Sequence, residues 1–204
     1  MPEHTPVVIT AAVEGIVDDA VGRRLITFAG GIIGTVYGKN GKASLRKRVG
    51  GYNNAARQRP WLTLVDLDHD FECAPLLQKD WLPHTANLMC FRIAVHEVEA
   101  WLLADRKGIA KFLSVSQKHV PHDPEALENP KKALVDLAKQ SNRRAIREGM
   151  GPRKGSGREV GATYSSRLIE FTQRVWSPQE AMNASDSLRR CVNCLRKLVE
   201  RSGV

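Results

Sequence analysis

The chain has 204 residues, with 31 Lys+Arg against 22 Asp+Glu, a formal net charge of +9 and a pI near 9.7. A composition of 42% hydrophobic and 26% charged residues excludes global disorder. The longest apolar runs, such as Val7–Val13, fall far short of the ~20 residues that span a membrane, so no membrane partner is expected. Cysteines at 73, 90, 191 and 194 are too few and too scattered for a disulfide framework and point to a reducing compartment. The opening MPEHTPVV has no basic n-region, which speaks against a secretory signal and for the cytoplasm. The positive charge favours an anionic partner, most simply nucleic acid, DNA or RNA.

The predicted elements alternate through the first half of the chain. Pro6–Val13 is apolar on both faces and rich in β-branched residues, so it reads as a buried strand that Glu14-Gly15 breaks. Asp18 and Asp19 open a helical pattern that Gly30-Gly31 ends. Ile32–Tyr37 reads as a second strand, closed by a turn at Gly38–Gly41. The polar stretch 43–58 includes a helix, and Pro60 starts a third strand, Trp61–Val65, which runs into Asp66-Leu67-Asp68-His69-Asp70. Asn87–Val95 is a fourth strand, and Val98, Trp101, Leu102, Ile109 and Phe112 place a helix over 97–112.

This alternation predicts an α/β fold with a mostly parallel four-stranded sheet and flanking helices over residues 1–113. A helical C-terminal region is expected over 114–204. Its pieces are a polar connector at 114–128, a helix from Asn129-Pro130 to about Glu148, a glycine-rich loop over 149–161, and helices at 163–175 and 185–201.

Charge is unevenly distributed. Lys39, Lys42, Arg46, Lys47, Arg48, Arg57 and Arg59 lie in a stretch without an acid. Arg143, Arg144, Arg147, Arg153, Lys154 and Arg158 form a second basic cluster, interrupted only by Glu148. The acids gather at Glu14, Asp18 and Asp19, at Asp66, Asp68, Asp70 and Glu72, and at Glu97, Glu99 and Asp105. Glu14 and Asp66 each follow a hydrophobic strand directly. In an open α/β sheet, ligands bind beyond the carboxyl ends of the strands, so these acids are expected at one edge. Converging carboxylates repel one another unless a cation lies between them, and hard oxygen ligands select Mg²⁺ or Mn²⁺. If the third strand continues, alternation points Asp66 and Asp68 to one face.

The order strand, Glu14-Gly15-x-x-Asp18, helix, strand, strand, Asp66-x-Asp68 resembles the Toprim domain, and Glu14-Gly15-x-x-Asp18 is most similar to its nuclease branch, which includes the overcoming-lysogenisation-defect nucleases. His96-Glu97-Val98-Glu99-Ala100-Trp101 through Asp105, with Tyr164-x-x-Arg167 and Ser187-Leu188-x-x-Cys191, resembles small bacterial Toprim-like proteins encoded beside ABC- or SMC-like ATPases in phage-defence loci. The Toprim resemblance covers residues 6–105. It implies Glu14, Asp66 and Asp68 as catalytic carboxylates, with Mg²⁺ or Mn²⁺ on Glu14, Asp66 and Asp68. It implies Asp18 and Asp70 as secondary ligands, and Glu97 and Glu99 as a second metal site. His69-Asp70 inside the acidic run leaves open which of the three aspartates take the metal. The two basic clusters would hold the strand by counterion release. The implied protein is a metal-dependent nuclease, the toxic effector of an anti-phage or toxin system restrained by an ATPase partner; a homo-oligomer is compatible with this.

Two other readings use the same fold: a non-catalytic docking subunit of an ATPase complex, and a nucleotidyl-transfer or primase-like enzyme, for which the chain is short. Cys191-x-x-Cys194 lacks the further ligands that zinc requires, and packing is its default reading. His119 and His122 fall in the connector, and Trp101 reads as core. His96, at a strand end, could meet a phosphate or serve as a proton donor. The loop at 149–161 is not a P-loop, so this chain is not expected to hydrolyse ATP.

Overall fold

In the computed structural model, which describes residues 6–203, the first strand is β1 (Val8–Val13). Glu14-Gly15 ends it, and α1 (Ile16–Phe28) follows, with Asp18 and Asp19 in its first turn. β2 (Ile32–Gly38), α2 (Lys42–Ala55), β3 (Trp61–Asp66), α3 (Ala74–Trp81) and β4 (Met89–Ala94) complete the α/β part. α3 has no counterpart in the predicted elements. Its eight residues are too few to declare a helical period beside the polar Asp66–Glu72 run. The strands lie in the order β2-β1-β3-β4 and every pairing is parallel, a Rossmann-like α/β sheet as expected.

Both faces of the sheet are covered, which is why β3 reads as a nearly continuous apolar run. Ala12, Trp61, Val65, Phe91 and Ile93 pack on Leu45 and Val49 of α2 and on Leu77 and Trp81 of α3. On the other face, Gly22 of α1 brings its backbone close to Val13 and Leu62. Leu62 and Leu64 are fully buried, and each such side chain contributes roughly 1.5–3 kcal/mol. Cys90 of β4 meets Cys191 and Cys194 of the C-terminal helix, and Arg196 of that helix lies over the Phe28 ring at 5.3 Å. Trp61 stacks on Tyr37 and Tyr52 with centroids 5.6 and 5.1 Å apart, and the two tyrosines meet at a tilt 6.0 Å apart, joining three elements that the sequence alone keeps apart.

The rest is helical. α4 (Val98–Ala104) and α5 (Arg106–Leu113) replace the single helix expected over 97–112. Asp105 ends the first and caps the second, its carboxylate accepting from Gly108 N–H at 2.9 Å. α6 (Pro130–Lys139) starts at the Asn129 cap as expected, with the Lys132 N–H donating to its side chain at 2.7 Å. It stops short of Glu148, and α7 (Arg144–Met150) resumes after a break at Ser141–Arg143. α8 (Tyr164–Arg174), α9 (Pro178–Ala181) and α10 (Asp186–Ser202) follow. No helix among the described residues is long and apolar enough to cross a membrane.

The chain divides into two compact units: one runs to Val95 and resumes at Ser187, and the other is His96–Asp186. A single cut at 113/114 misses this division, because α10 returns to the sheet. Ser187 Oγ accepts from Val95 N–H at 3.4 Å, which holds the two ends of the insertion together. In the inserted unit all seven residues of α4 are buried.

Gly38 ends β2 at φ +93°, and a Cβ there would run into the Val13 carbonyl. That carbonyl accepts from Lys39 N–H at 3.0 Å, so the turn cannot move away without breaking its link to β1. Gly38→Ala should lower unfolding free energy by at least about 2 kcal/mol in urea titrations, a larger loss than at Gly50, which is open to solvent.

Candidate active site

The strand order reverses between β1 and β3, and the crevice beyond their carboxyl ends is where α/β sheets bind ligands. Glu14 is the first residue after β1, and Asp66 is the last of β3. The Asp66 backbone N–H donates to Glu14 Oε1 at 2.8 Å, which fixes the Glu14 carboxylate in that crevice. Gly15 follows it, and a Cβ at that position would stand only 3.0 Å from Asp18 Oδ2. The glycine thus lets the buried Asp18 carboxylate, on the first turn of α1, come close to the backbone beside Glu14.

A second link comes from the turn after β2. Lys39 N–H is bound to the Val13 carbonyl, and Gly41 N–H donates to the Glu14 carbonyl at 3.0 Å. Gly41 leads into α2, so Lys42 starts that helix beside the crevice. Its ammonium ion-pairs with Asp68 and Asp70, both at 2.8 Å, and donates to the Leu67 carbonyl at 3.2 Å. β3 stops at Asp66, so strand alternation does not set the direction of Asp68. Asp68 instead turns at φ +50°, a left-handed conformation that Asp tolerates better than most residues.

The electrostatics follow from this crowding. Burial is the main cause that pushes the Glu14 carboxyl up from 4.5 to about 7. The Asp66 N–H pulls the other way, the Asp18 charge raises it again, Lys42 opposes, and Asp68 adds to the rise. For Lys42, burial disfavours the charge, but the hydrogen bonds it donates to Asp68 and Asp70 outweigh it and hold the pKa above the ordinary lysine value.

The donors are all oxygen, which suits a hard divalent ion. The cation now facing Asp68 and Asp70 is Lys42, and no group of three or more His, Cys, Asp or Glu side chains among the described residues is arranged to hold a metal. The oxygen chemistry of Glu14, Asp68 and Asp70 thus suits such an ion, whereas their arrangement does not enclose one and leaves Lys42 as the partner of two of the carboxylates.

The other acids have different surroundings. Glu97 accepts from the Lys131 backbone N–H at 2.9 Å and pairs with its ammonium at 2.5 Å. Glu99 is buried and accepts from the Tyr164 hydroxyl at 3.1 Å; burial, then the Glu99 charge, push the Tyr164 pKa far up. Asp105 also accepts from Ser177 N–H at 2.9 Å. All three lie in the inserted unit, whereas Glu14, Asp18, Asp66, Asp68 and Asp70 lie in the sheet unit.

The basic clusters divide in the same way. On the sheet unit, Lys47, Arg48, Arg57 and Arg59 are exposed, Arg46 pairs with Asp80 at 2.7 Å, and Lys39 pairs with Asp19 at 3.1 Å. On the inserted unit, Arg143, Arg153 and Lys154 are exposed, Arg144 pairs with Glu148, and Arg147 donates to the Ser141 carbonyl. Lys42 was expected at the nucleic-acid surface and is found holding the acidic run. A third basic group, on α10, escaped the sequence reading. Its spacing of Arg190, Lys197 and Arg201 at i, i+7 and i+11 is the signal that could have revealed it.

Two measurements follow. The Glu14 pKa is raised in the folded state, so the fold favours the protonated form. Its contribution is most favourable below pH 4.5, falls as pH rises towards about 7, and is constant above that. Glu14→Gln, which keeps the acceptor for Asp66 N–H, should therefore stabilise the protein at pH 8, by on the order of 1–3 kcal/mol, and change little at pH 4 in denaturant titrations. Lys42→Met leaves Asp68 and Asp70 without their ammonium. Its melting temperature without divalent ions should fall by several degrees (about 1 kcal/mol), and Mg²⁺ should restore more of it than it adds to the wild type.

No family model, no curated protein and no solved structure matches the chain.

Proposed function

We propose that this protein is a Mg²⁺- or Mn²⁺-dependent nuclease of Toprim type that hydrolyses phosphodiesters at the crevice between β1 and β3. The observation that carries the reading is the Glu14 carboxylate. It is held on the Asp66 N–H with a pKa raised to about 7, beside Asp18 and Asp68, on a chain with net charge +9. A group titrating there can accept a proton near neutral pH and return it, as general acid–base chemistry requires.

When bound, a divalent ion would supply Lewis-acid polarisation of the phosphoryl oxygen and an acidified water. Asp68 and Asp70 would hold it after Lys42 yields its place, leaving Glu14 uncoordinated as the proton acceptor. Glu14 then orients water and accepts its proton at the oxygen not bound to Asp66 N–H. Lys42, released from the aspartates, is left at the start of α2 to face a phosphate. The exposed Lys47, Arg48, Arg57 and Arg59 bind the strand by its backbone, without reading sequence. The effector role under an ATPase partner rests on the resemblance of 96–105 and of the C-terminal tail to defence-locus proteins. A non-catalytic docking subunit is the second reading, favoured by the Lys42–Asp68 and Lys42–Asp70 pairs, which balance the acids without a metal.

Purified protein with labelled DNA, RNA and transfer RNA should show cleavage that needs Mg²⁺ or Mn²⁺ and falls steeply with salt. Glu14→Gln and Asp68→Asn should each reduce it by about 100-fold or more. Cleavage that survives both substitutions, or its absence with every substrate and ion, favours the docking subunit. The rate should rise with pH through about 7 as Glu14 loses its proton, and Glu14→Gln should abolish that limb of the profile.

A further inference from the structure

A cavity of about 400 Å³ opens between β4 and α10 in the sheet unit. Arg92, Arg190, Asn193, Cys194, Lys197, Leu198 and Arg201 line it, with four cations and no carboxylate. The periodicity of α10 builds it. Leu188, Cys191, Val192, Leu195 and Leu198 are buried, which leaves Arg190, Lys197 and Arg201 as an exposed basic stripe on the helix. The stripe spans the twelve residues Arg190–Arg201, about 16 Å of helix axis.

Arg92 lies on β4, opposite α10, half-buried beside Cys90 and Cys194. Its buried Nε has no hydrogen-bond partner in the protein. Among the described residues, Arg92, Lys197 and Arg201 form no ion pair with a carboxylate. A half-buried guanidinium with unused donor capacity and no counter-charge is costly unless an anion completes it.

We propose that this cavity binds a short chain of phosphates, the oligophosphate of a nucleoside triphosphate or of inorganic tripolyphosphate, through Arg92, Arg190, Lys197 and Arg201. The length of the stripe selects a chain over a single orthophosphate. Four cations match the charge of a triphosphate. A concave site suits a compact ligand better than a nucleic-acid backbone, which spreads its phosphates along an open track. The lining has no aromatic side chain on which a base could stack, so the site recognises the phosphates and not the base. It lies on residues other than the Glu14 group, and the proposal does not depend on nuclease activity.

Isothermal titration of the full chain at fixed ionic strength tests it, with tripolyphosphate, ATP, CTP, orthophosphate and a single-stranded oligonucleotide as probes. Tripolyphosphate and both nucleotides should bind saturably with affinities within about threefold of each other, and orthophosphate at least about tenfold more weakly. Arg92→Gln should weaken tripolyphosphate binding about tenfold or more. Arg201→Gln, at an exposed site in the last helical turn where folding is not at risk, should weaken it about fivefold, and Glu14→Gln should leave it unchanged. Absence of saturable binding, binding unaffected by Arg201→Gln, a strong preference between ATP and CTP, or tighter binding of the oligonucleotide at this site each overturns the proposal. None of these outcomes bears on the cleavage assay.

Discussion

A carboxylate taken out of water needs compensation, and in this molecule Glu14 receives only part of it. One backbone N–H, that of Asp66, and the field of one ammonium, Lys42, offset its burial; Asp18 and Asp68 work against it. Most of the local architecture can be traced to that balance. β1 must pair with β3 for Asp66 N–H to reach Glu14. The Gly38–Gly41 turn must be bound to Val13 and Glu14 for Lys42 to start its helix where it does. The carboxyl is left able to change protonation near neutral pH, whereas a fully compensated one would stay ionised and inert.

The molecule contains two groups of paired acids, and their partners tell them apart. Glu97, Glu99 and Asp105 are each matched by donors fixed in the inserted unit: Lys131, Tyr164, Gly108 and Ser177. They act as brackets that tie α4 to the loops and helices around it, and their geometry is complete without a ligand. At the switch point Asp68 and Asp70 share one ammonium, that of Lys42, whose three polar contacts all go to the Leu67–Asp70 segment. A lysine on a flexible four-carbon stem is easily exchanged for another cation.

The parallel sheet was legible because β-branched runs and strand–helix alternation are direct consequences of burial on both faces. The prominence of Glu14 and Asp66 was legible too, since each directly follows an apolar run. Other features depend on distant pairing that no local pattern encodes. Asp68 follows a strand that stops two residues before it, so its direction comes from a left-handed turn and from Lys42, 26 positions away. The helix expected over 97–112 is cut because Asp105 serves Gly108 and Ser177 at once, and Ser177 is 72 residues downstream. The boundary at 113/114 followed the change in composition, but the division follows the apolar face of α10, which belongs to the sheet.

That return of α10 has a consequence for biosynthesis. The part of the sheet carrying Cys90 is left without α10 until residues 186–202 have left the ribosome, long after β4. The intervening His96–Asp186 segment is 91 residues, which at about 5–20 residues per second amounts to roughly 5–20 s of translation. Arg92 faces no helix during that interval, and the cavity it shares with α10 does not yet exist. The lag delays the finished sheet unit until the insertion has been translated, and a ribosome that stalls within the insertion leaves a chain whose Cys90 and Arg92 lack their α10 cover. For a basic protein with an acid-lined crevice, completion of the sheet unit is thereby tied to translation of the insertion as well as of the strands.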